Sequence, residues 1–428
     1  MSDKIIFKTL GCRLNQFETD ALAKRFELNG YEVAESGTDA DVLVVNTCTV
    51  TNQSNQKSRT AINQLQHKNR NAKLFITGCM AVSHKAELEQ LFPLAHVVDN
   101  KQKSAIYHKV DSILKGTDEI PLNETADLFS YESVTELFHT RSVVKIQDGC
   151  DNFCTFCIIP FVRGRATSRP PQQIISNVQD LVAKGAKEIV LTGVNIGRYS
   201  IDGLNFSALV EQILEVEGDF RVRISSIEPD GFDERFFKLV HHPKMTPHLH
   251  LCLQSGSDRV LLQMRRMYTA QVFRETVERI RLVNPLFNFT TDVIVGFPGE
   301  SDDDFTQTLD FCRTMQFGHI HIFKYSDRND TRASRMSDKV SGKVMKLRSQ
   351  QLHELAENLK REYRLQLLNV PQTVLVEKSN NGLATGYSEF FVPHRIAGCH
   401  VARNKFVEVR CMELADSEII SRDAMICV

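Results

Sequence analysis

Residues 143–157 read VVKIQDGCDNFCTFC, a β-branched apolar run that stops at Gly149 and opens into Cys150, Cys154 and Cys157. Thiols separated by three and then two residues can wrap one metal centre from a single short loop. A structural zinc site needs four protein ligands, and no neighbouring cysteine or histidine supplies the fourth. A centre with three protein ligands keeps a position open for a small molecule, as reactive sites do. Zinc and chance clustering are the bland alternatives.

Upstream, three apolar runs, KIIFKTLG, DVLVVNT and KLFITG, read as buried parallel strands, and each ends at a cysteine: Cys12, Cys48 and Cys79. Helical patterns over Asn15–Leu28 and Ser58–His67 alternate with them, and HVVD offers a fourth strand. Right-handed crossovers put all the strand ends on one edge, where ligands of open α/β sheets sit. Three distant cysteines can therefore converge there. Plain buried cysteines, or zinc, are the alternatives for this set.

Downstream, six strand-like runs follow between Ser142 and Ser326: VVKIQD, EIVLTGV, FRVRISSIEP, HLHLCLQSG, FTTDVIVGF and HIHIFKYS. Helical stretches over Gln172–Lys184, Phe206–Val216, Val272–Val283 and Asp303–Met315 alternate with them. Six units are too few for a closed eight-fold barrel, which takes about 250 residues, so a partial barrel is expected. An acidic stretch without periodicity, Leu114–Thr140, reads as a linker, and Ser337–Leu368 as an amphipathic helix. QTVLVEK, LATGYSEFFVPHRI and KFVEVRCMEL suggest a terminal β barrel. The expected fold class is α/β: an open parallel sheet domain (1–125), a partial (β/α)6 barrel with its docked helix (140–368) and a small all-β barrel (369–428).

Composition sets bounds on function. With 42% apolar and 25% charged residues and a formal net charge of -1, the 428-residue chain is neither disordered nor a uniformly basic nucleic-acid binder. No run approaches the roughly 18 apolar residues of a membrane span, and the start of the chain lacks a signal-peptide core, so a cytoplasmic location is expected. Eleven cysteines in that compartment point to metal binding rather than disulfides.

The C-x-x-x-C-x-aromatic-C pattern of Cys150–Cys157 resembles the signature of the radical S-adenosylmethionine (SAM) superfamily. Membership implies a partial barrel and a four-iron cluster whose open iron chelates SAM, and reductive cleavage then yields a deoxyadenosyl radical. The cofactor does the chemistry and the protein orients it, so no catalytic side chain beyond the cluster ligands is expected. Matches at strand ends, Gly193, Asn195, Ser226, Glu228, Gln254, Ser255 and the Gly296–Glu300 turn with Val295 and Phe297, together with Phe156 and Arg266, are the candidate SAM contacts. Each alone is as readily a turn or capping residue.

TLGC-x-x-N-x-x-E, VVNTC and GC ahead of this motif resemble the methylthiotransferases across essentially the whole chain. The resemblance implies a second four-iron cluster on Cys12, Cys48 and Cys79, two roles for SAM as methyl donor and radical source, and a TRAM-like terminal barrel gripping RNA. It also implies a flavodoxin- or ferredoxin-type electron donor and a monomer. TLGCRLNQFETD and NTCTVTNQSNQKSR look most like the group that acts on threonylcarbamoyladenosine beside the tRNA anticodon. Isopentenyladenosine in tRNA, a ribosomal-protein aspartate, or a non-catalytic iron–sulfur RNA binder are the alternatives.

Arg13, Asn15, Arg163, Arg165, Tyr387 and Phe390 are the candidate RNA or substrate contacts, with Arg169, Lys324, Arg328, Arg332 and Arg335 as further phosphate partners. Solvated faces, or core packing for the aromatics, are the competing readings. The family pattern F-P-Y-S-x-R-x-G-T is here Phe323-Lys-Tyr-Ser-Asp-Arg328-Asn-Asp-Thr331, departing at Lys324 and Asp330, which bears on the geometry of that loop. His241, His242, His248 and His250 lack metal spacing. Cys252, Cys312, Cys399, Cys411 and Cys427 read mostly as buried fillers.

Overall fold

The computed structural model describes residues 3–117, 127–132, 134, 138–415 and 418–426. Much of the expected linker, the boundary at 125 and Cys427 lie outside the described residues, as does the Cys411 side chain. The chain forms two compact units. One gathers Met1–Leu137, Gln147–Arg169 and Ser326–Ser334, and the other Phe138–Ile146, Pro170–Tyr325 and Arg335–Val428.

The first unit is built on β1 (Lys4–Thr9), β2 (Glu32–Ala34), β3 (Val42–Thr47), β4 (Lys73–Gly78) and β5 (His96–Val97). All pair in parallel in the order β2-β1-β3-β4-β5. Helices α1 (Arg13–Leu28), α2 (Asn52–Lys68), α3 (Cys79–Ser83), α4 (Lys85–Leu91) and α5 (Ile106–Lys115) connect or follow the strands. Ile6, Leu43, Val45, Leu74 and Ile76 pack with Ile62 and Leu65 of α2, which is why these strands read as continuous apolar runs. β2 is too short for the sequence to reveal. The strand order reverses between β1 and β3, and open α/β sheets bind ligands at such a switch point. Cys12 and Cys48 leave the sheet there.

In the second unit, Ser142–Lys145, Glu188–Thr192 and Arg221–Ile224 form one parallel sheet, and Ser226–Ile227, His248–Leu251, Asn288–Val295 and His319–Lys324 another. One strand course contributes to both, broken only at Ser225, so the six expected runs make a curled half-barrel in chain order. Odd and even positions divide cleanly along it. Leu249, Leu251, Val293 and Val295 join the core under the helices, while His248, His250, Thr290 and Asp292 take the other face.

The last residues form a closed barrel in the order Pro371–Asn380, Leu383–Ser388, Pro393–Ala397, Glu418–Ile426 and Phe406–Ala415. LATGYSEFFVPHRI, expected as one strand candidate, is two strands with a turn whose Phe391 takes a φ of 61°. Below that turn, fully buried Glu188 pairs with Arg221 (2.7 Å) and Arg223 (2.7 Å). The two guanidiniums reach the carbonyls of Thr373, Tyr387, Ser388 and Glu389. Those charges hold Glu188 well below the ordinary carboxylate range against the burial that opposes ionisation.

Candidate functional site

Glycine geometry explains how the three strand-end cysteines converge. Gly11 has a φ of 102°, and a Cβ there would lie 2.8 Å from Cys48 Cβ and 2.9 Å from its Sγ. At Gly78, with a φ of 95°, a Cβ would meet Thr47 O at 2.3 Å. Only glycine lets these chains approach so closely. Cys12 then caps α1 and Cys79 begins α3. Desolvation pushes the buried Cys48 thiol up, whereas Cys12 is exposed.

The second set hangs between two short paired strands, Gln147–Asp148 and Thr167–Ser168. Cys150 N donates to Gly164 O (3.1 Å), Cys157 N to Cys154 O (3.0 Å), and Phe153 takes a left-handed φ of 49° to turn the loop. The helix Ile159–Arg163 follows, and Ile158 and Val162 pack against Cys79. Asn100 joins the same surfaces, donating to Val162 O (2.9 Å) and reaching Cys79 Sγ (3.8 Å).

Beneath both sets runs a buried charge network. Arg163 donates to Glu18 (3.0 and 3.1 Å), to both oxygens of Asp148 (3.1 Å each) and to Asn15 Oδ1 (2.7 Å). Lys103 Nζ lies 2.5 Å from Glu18 and 3.2 Å from Asn46 Oδ1. Asn15 also donates to Leu10 O (2.9 Å) and Thr47 O (3.0 Å), tying the ends of β1 and β3 together. Each of these two cations thus meets a carboxylate, which offsets part of the cost of desolvating it. Asn15 and Arg163, expected at an RNA surface, are braces inside the protein instead.

The segment Ser326–Ser334 completes the unit. Arg328, expected to neutralise phosphate, is buried, bonded to Asn52 Oδ1 (2.7 Å) and Thr49 Oγ1 (2.8 Å). Asp330 stands where the family pattern has glycine and adopts a φ of 73°, so the left-handed turn survives the substitution. Asp tolerates that conformation better than most residues.

Both thiol sets are donor sets that an iron–sulfur group can use. Among the described residues, only His250, Cys252 and Asp292 bring three ligand atoms within 4.8 Å of one another.

Comparison with known proteins places this arrangement. Residues 4–99 match the model of the Uncharacterized protein family UPF0004 and residues 144–312 that of the Radical SAM superfamily. The chain is 38% identical over 420 residues to the threonylcarbamoyladenosine tRNA methylthiotransferase MtaB of Thermotoga maritima, covering 97% of this chain and 95% of the relative. The protein of the same name from Chlamydia pneumoniae is 36% identical, with 96% of each chain covered. The chain belongs to the radical SAM methylthiotransferases. It is of the MtaB type and an enzyme of that class. The fold resembles the radical SAM methyltransferase TsrM of Kitasatospora setae, with a TM-score of 0.57 at 14% identity over 76% of this chain and 75% of that one. Membership of the superfamily implies a four-iron cluster and SAM.

The methylthiotransferase half-barrel sorts the expected SAM contacts. Glu228 and Arg266 pair at 2.8 Å at the strand ends, Arg266 also donating to Tyr268 Oη (3.0 Å). Ser226 is exposed, Gly193 half-buried in the loop after its strand, and Asn195 buried. Gln254 takes a φ of 69° and bonds through its backbone to Asp292 O and Ile294 N. Ser255 is turned away, its hydroxyl on Thr308 Oγ1 (3.3 Å), while Val295 lies in the helix-side core and Phe297 packs on Tyr325. These three have only backbone to offer a ligand. Phe156 sits in the cysteine loop of the other unit.

Of the remaining expected RNA contacts, Arg13 is half-buried at the start of α1 and Arg165 is exposed, paired with Asp151 (2.9 Å). Phe390 is buried, and Tyr387 stacks on Phe391 beneath Arg141, so neither presents a bare ring to a base. Arg169 is buried too, whereas Lys324, Arg332 and Arg335 are exposed. Cys312 and Cys399 are core fillers as expected, but Cys252 is not: it joins His250 and Asp292 on the polar face. His250 lies 3.2 Å from Asp292 and, despite burial, holds that carboxyl below its usual range. Strand alternation puts His250 and Cys252 on one face, and the neighbouring strand brings Asp292 to them.

Among the described residues no helix is long and apolar enough to cross a membrane.

Proposed function

We propose that this methylthiotransferase inserts a methylthio group at position 2 of the adenine ring of threonylcarbamoyladenosine beside the tRNA anticodon. The observation that carries the reading is the 38% identity, over 97% of this chain, to a relative named for that nucleoside in tRNA. The cysteine geometry agrees with it. Cys150, Cys154 and Cys157 would hold the four-iron cluster that binds SAM, and Cys12, Cys48 and Cys79 a second one. When bound, the first cluster with SAM supplies the radical chemistry that an unactivated aromatic C–H requires, and the second, with another SAM, the sulfur and methyl group to be transferred.

The chain's own task is then to bind and orient. Six thiolates act as ligands, while the Arg163 network and the Ser326–Ser334 segment keep the two loops in register. Glu228 and Arg266 form a charged pair at the half-barrel's own strand ends, suited to a zwitterionic ligand. The terminal barrel is read as a TRAM-like RNA-binding domain, in which exposed lysines and arginines rather than Phe390 would meet phosphates. A flavodoxin- or ferredoxin-type electron donor, a monomeric state and a cytoplasmic location complete the proposal.

The test is nucleoside mass spectrometry of tRNA from a deletion strain and from the same strain carrying the gene. Loss and return of 2-methylthio-threonylcarbamoyladenosine is expected. An unchanged content of that nucleoside would refute the substrate. Loss of the 2-methylthio dimethylallyladenosine instead would move the activity to that base.

A further inference from the structure

The segment Ser326–Ser334 touches both cysteine loops. At its start, Ser326 Oγ accepts from Asn52 N (3.1 Å), Asp327 O accepts from Asn52 Nδ2 (3.2 Å), and Arg328 spans Asn52 and Thr49 beside Cys48. At its far end, Ala333 N donates to Thr155 O (2.9 Å), between Cys154 and Cys157. Thr331 returns its backbone N–H (3.2 Å) and its hydroxyl (2.8 Å) to Arg328 O, which stiffens the span. The strap is therefore a short, braced link between the two loops.

Its central side chain is electrostatically incomplete. Arg328 is only 5% exposed, and among the described residues its partners are neutral oxygens, with no carboxylate in ion-pair range. A desolvated guanidinium without a counter-ion is costly, and the buried Arg163, Arg221, Arg223 and Arg348 each face a carboxylate. Thr49, to which Arg328 donates, directly follows Cys48, so the guanidinium is held beside that residue's backbone. A cation kept dry beside a metal-ligating thiol is suited to an anionic group bound there.

We propose that Arg328 is a positioning residue that supplies the permanent counter-charge for the iron–sulfur group at Cys48 and, through the strap, fixes that group's loop against the Cys154–Cys157 loop. This rests on the reading of Cys12, Cys48 and Cys79 as cluster ligands.

The experiment uses the full chain with Cys150, Cys154 and Cys157 all changed to Ala, reconstituted anaerobically with iron and sulfide, so that one cluster of about four irons remains. Its reduction potential is compared with that of the same protein carrying Arg328→Met or Arg328→Lys. Removing a nearby positive charge lowers a cluster potential. Arg328→Met is expected to shift it downward and Arg328→Lys to restore most of the shift. In metal-free protein, Arg328→Met is expected to speed amide exchange at residues 48–54 and 154–157, leaving the sheet protected.

An unchanged potential in Arg328→Met with iron bound, or equal shifts in both variants, overturns the proposal. If Arg328→Met binds no iron while the metal-free sheet stays protected, the charge is needed for binding itself, which supports it. Loss of protection throughout the sheet would make Arg328 a folding element and overturn it. Absence of iron from the triple-Ala protein before any change at Arg328 would instead remove the cluster reading, a separate result.

Discussion

Cys150, Cys154 and Cys157 lie within eight residues on one loop, whereas Cys12, Cys48 and Cys79 span sixty-eight residues and three strand ends. The first set is a property of local sequence and needs only a turn, provided by Phe153 and a short pair of strands. The second exists only because the sheet exists, and because Gly11 and Gly78 let neighbouring strand ends close to within a Cβ of each other. A contiguous motif is therefore robust to changes in the fold and sensitive to changes in its own residues. A dispersed one is sensitive to both.

The largest expected effect separates the two sets functionally. Cys154→Ala should reduce SAM cleavage to background, while Cys48→Ala should leave cleavage measurable and abolish methylthio product; deoxyadenosine and modified nucleoside, quantified from the same reaction, check this. Continued multiple-turnover product formation by Cys48→Ala would erase the distinction.

Next in size are the buried charges. Arg163→Met removes the cation that bonds both Glu18 and Asp148, and breaking this buried pairing is expected to cost about 3–5 kcal/mol in urea unfolding. Arg223→Met leaves Glu188 still paired with Arg221, so its cost should be smaller. The reverse order would mean that the network under the cysteines is not the stiffer of the two.

A third measurement concerns pH. His394 is buried between Ser421 Oγ (3.0 Å) and Gln372 Oε1 (3.2 Å), and desolvation pushes it down to about 3. It is neutral when folded, but the unfolded chain takes up its proton near pH 6.5. Its contribution is thus complete above that pH and is lost progressively as pH falls toward 3. His394→Gln should flatten the pH dependence of the terminal barrel's unfolding midpoint over that range, with no comparable change in the sheet around Cys12. The smallest effect is Asp330→Gly, which relieves a left-handed residue in the strap and should stabilise by roughly 0.5 kcal/mol in the same urea assay.

The contrast between the cysteine sets also explains what the sequence disclosed. All six half-barrel strands were legible because each is an apolar run of ordinary length, and the strand-end position of Cys12, Cys48 and Cys79 followed from the same pattern. β2, with three residues, and the break at Ser225 carry no such signal. Arg163, Asn15 and Arg328 misled for a common reason: charge and amide in a sequence look like surface, and only the partners Glu18, Asp148, Thr47 and Thr49, distant along the chain, reveal that they are internal. Cys252 misled in the opposite direction: its alternation with His248 and His250 put it on the polar face, but its partner Asp292 lies on another strand, forty residues away.

The joint beneath the terminal barrel has a consequence for divergence. Arg221 and Arg223 hold that barrel by the carbonyls of Thr373, Tyr387, Ser388 and Glu389, groups that every amino acid carries. Such a joint is indifferent to the side chains it grips. Substitutions along the barrel's rim can accumulate, and its outer face can be remade for another recognition task, while the attachment to the half-barrel stays as it is.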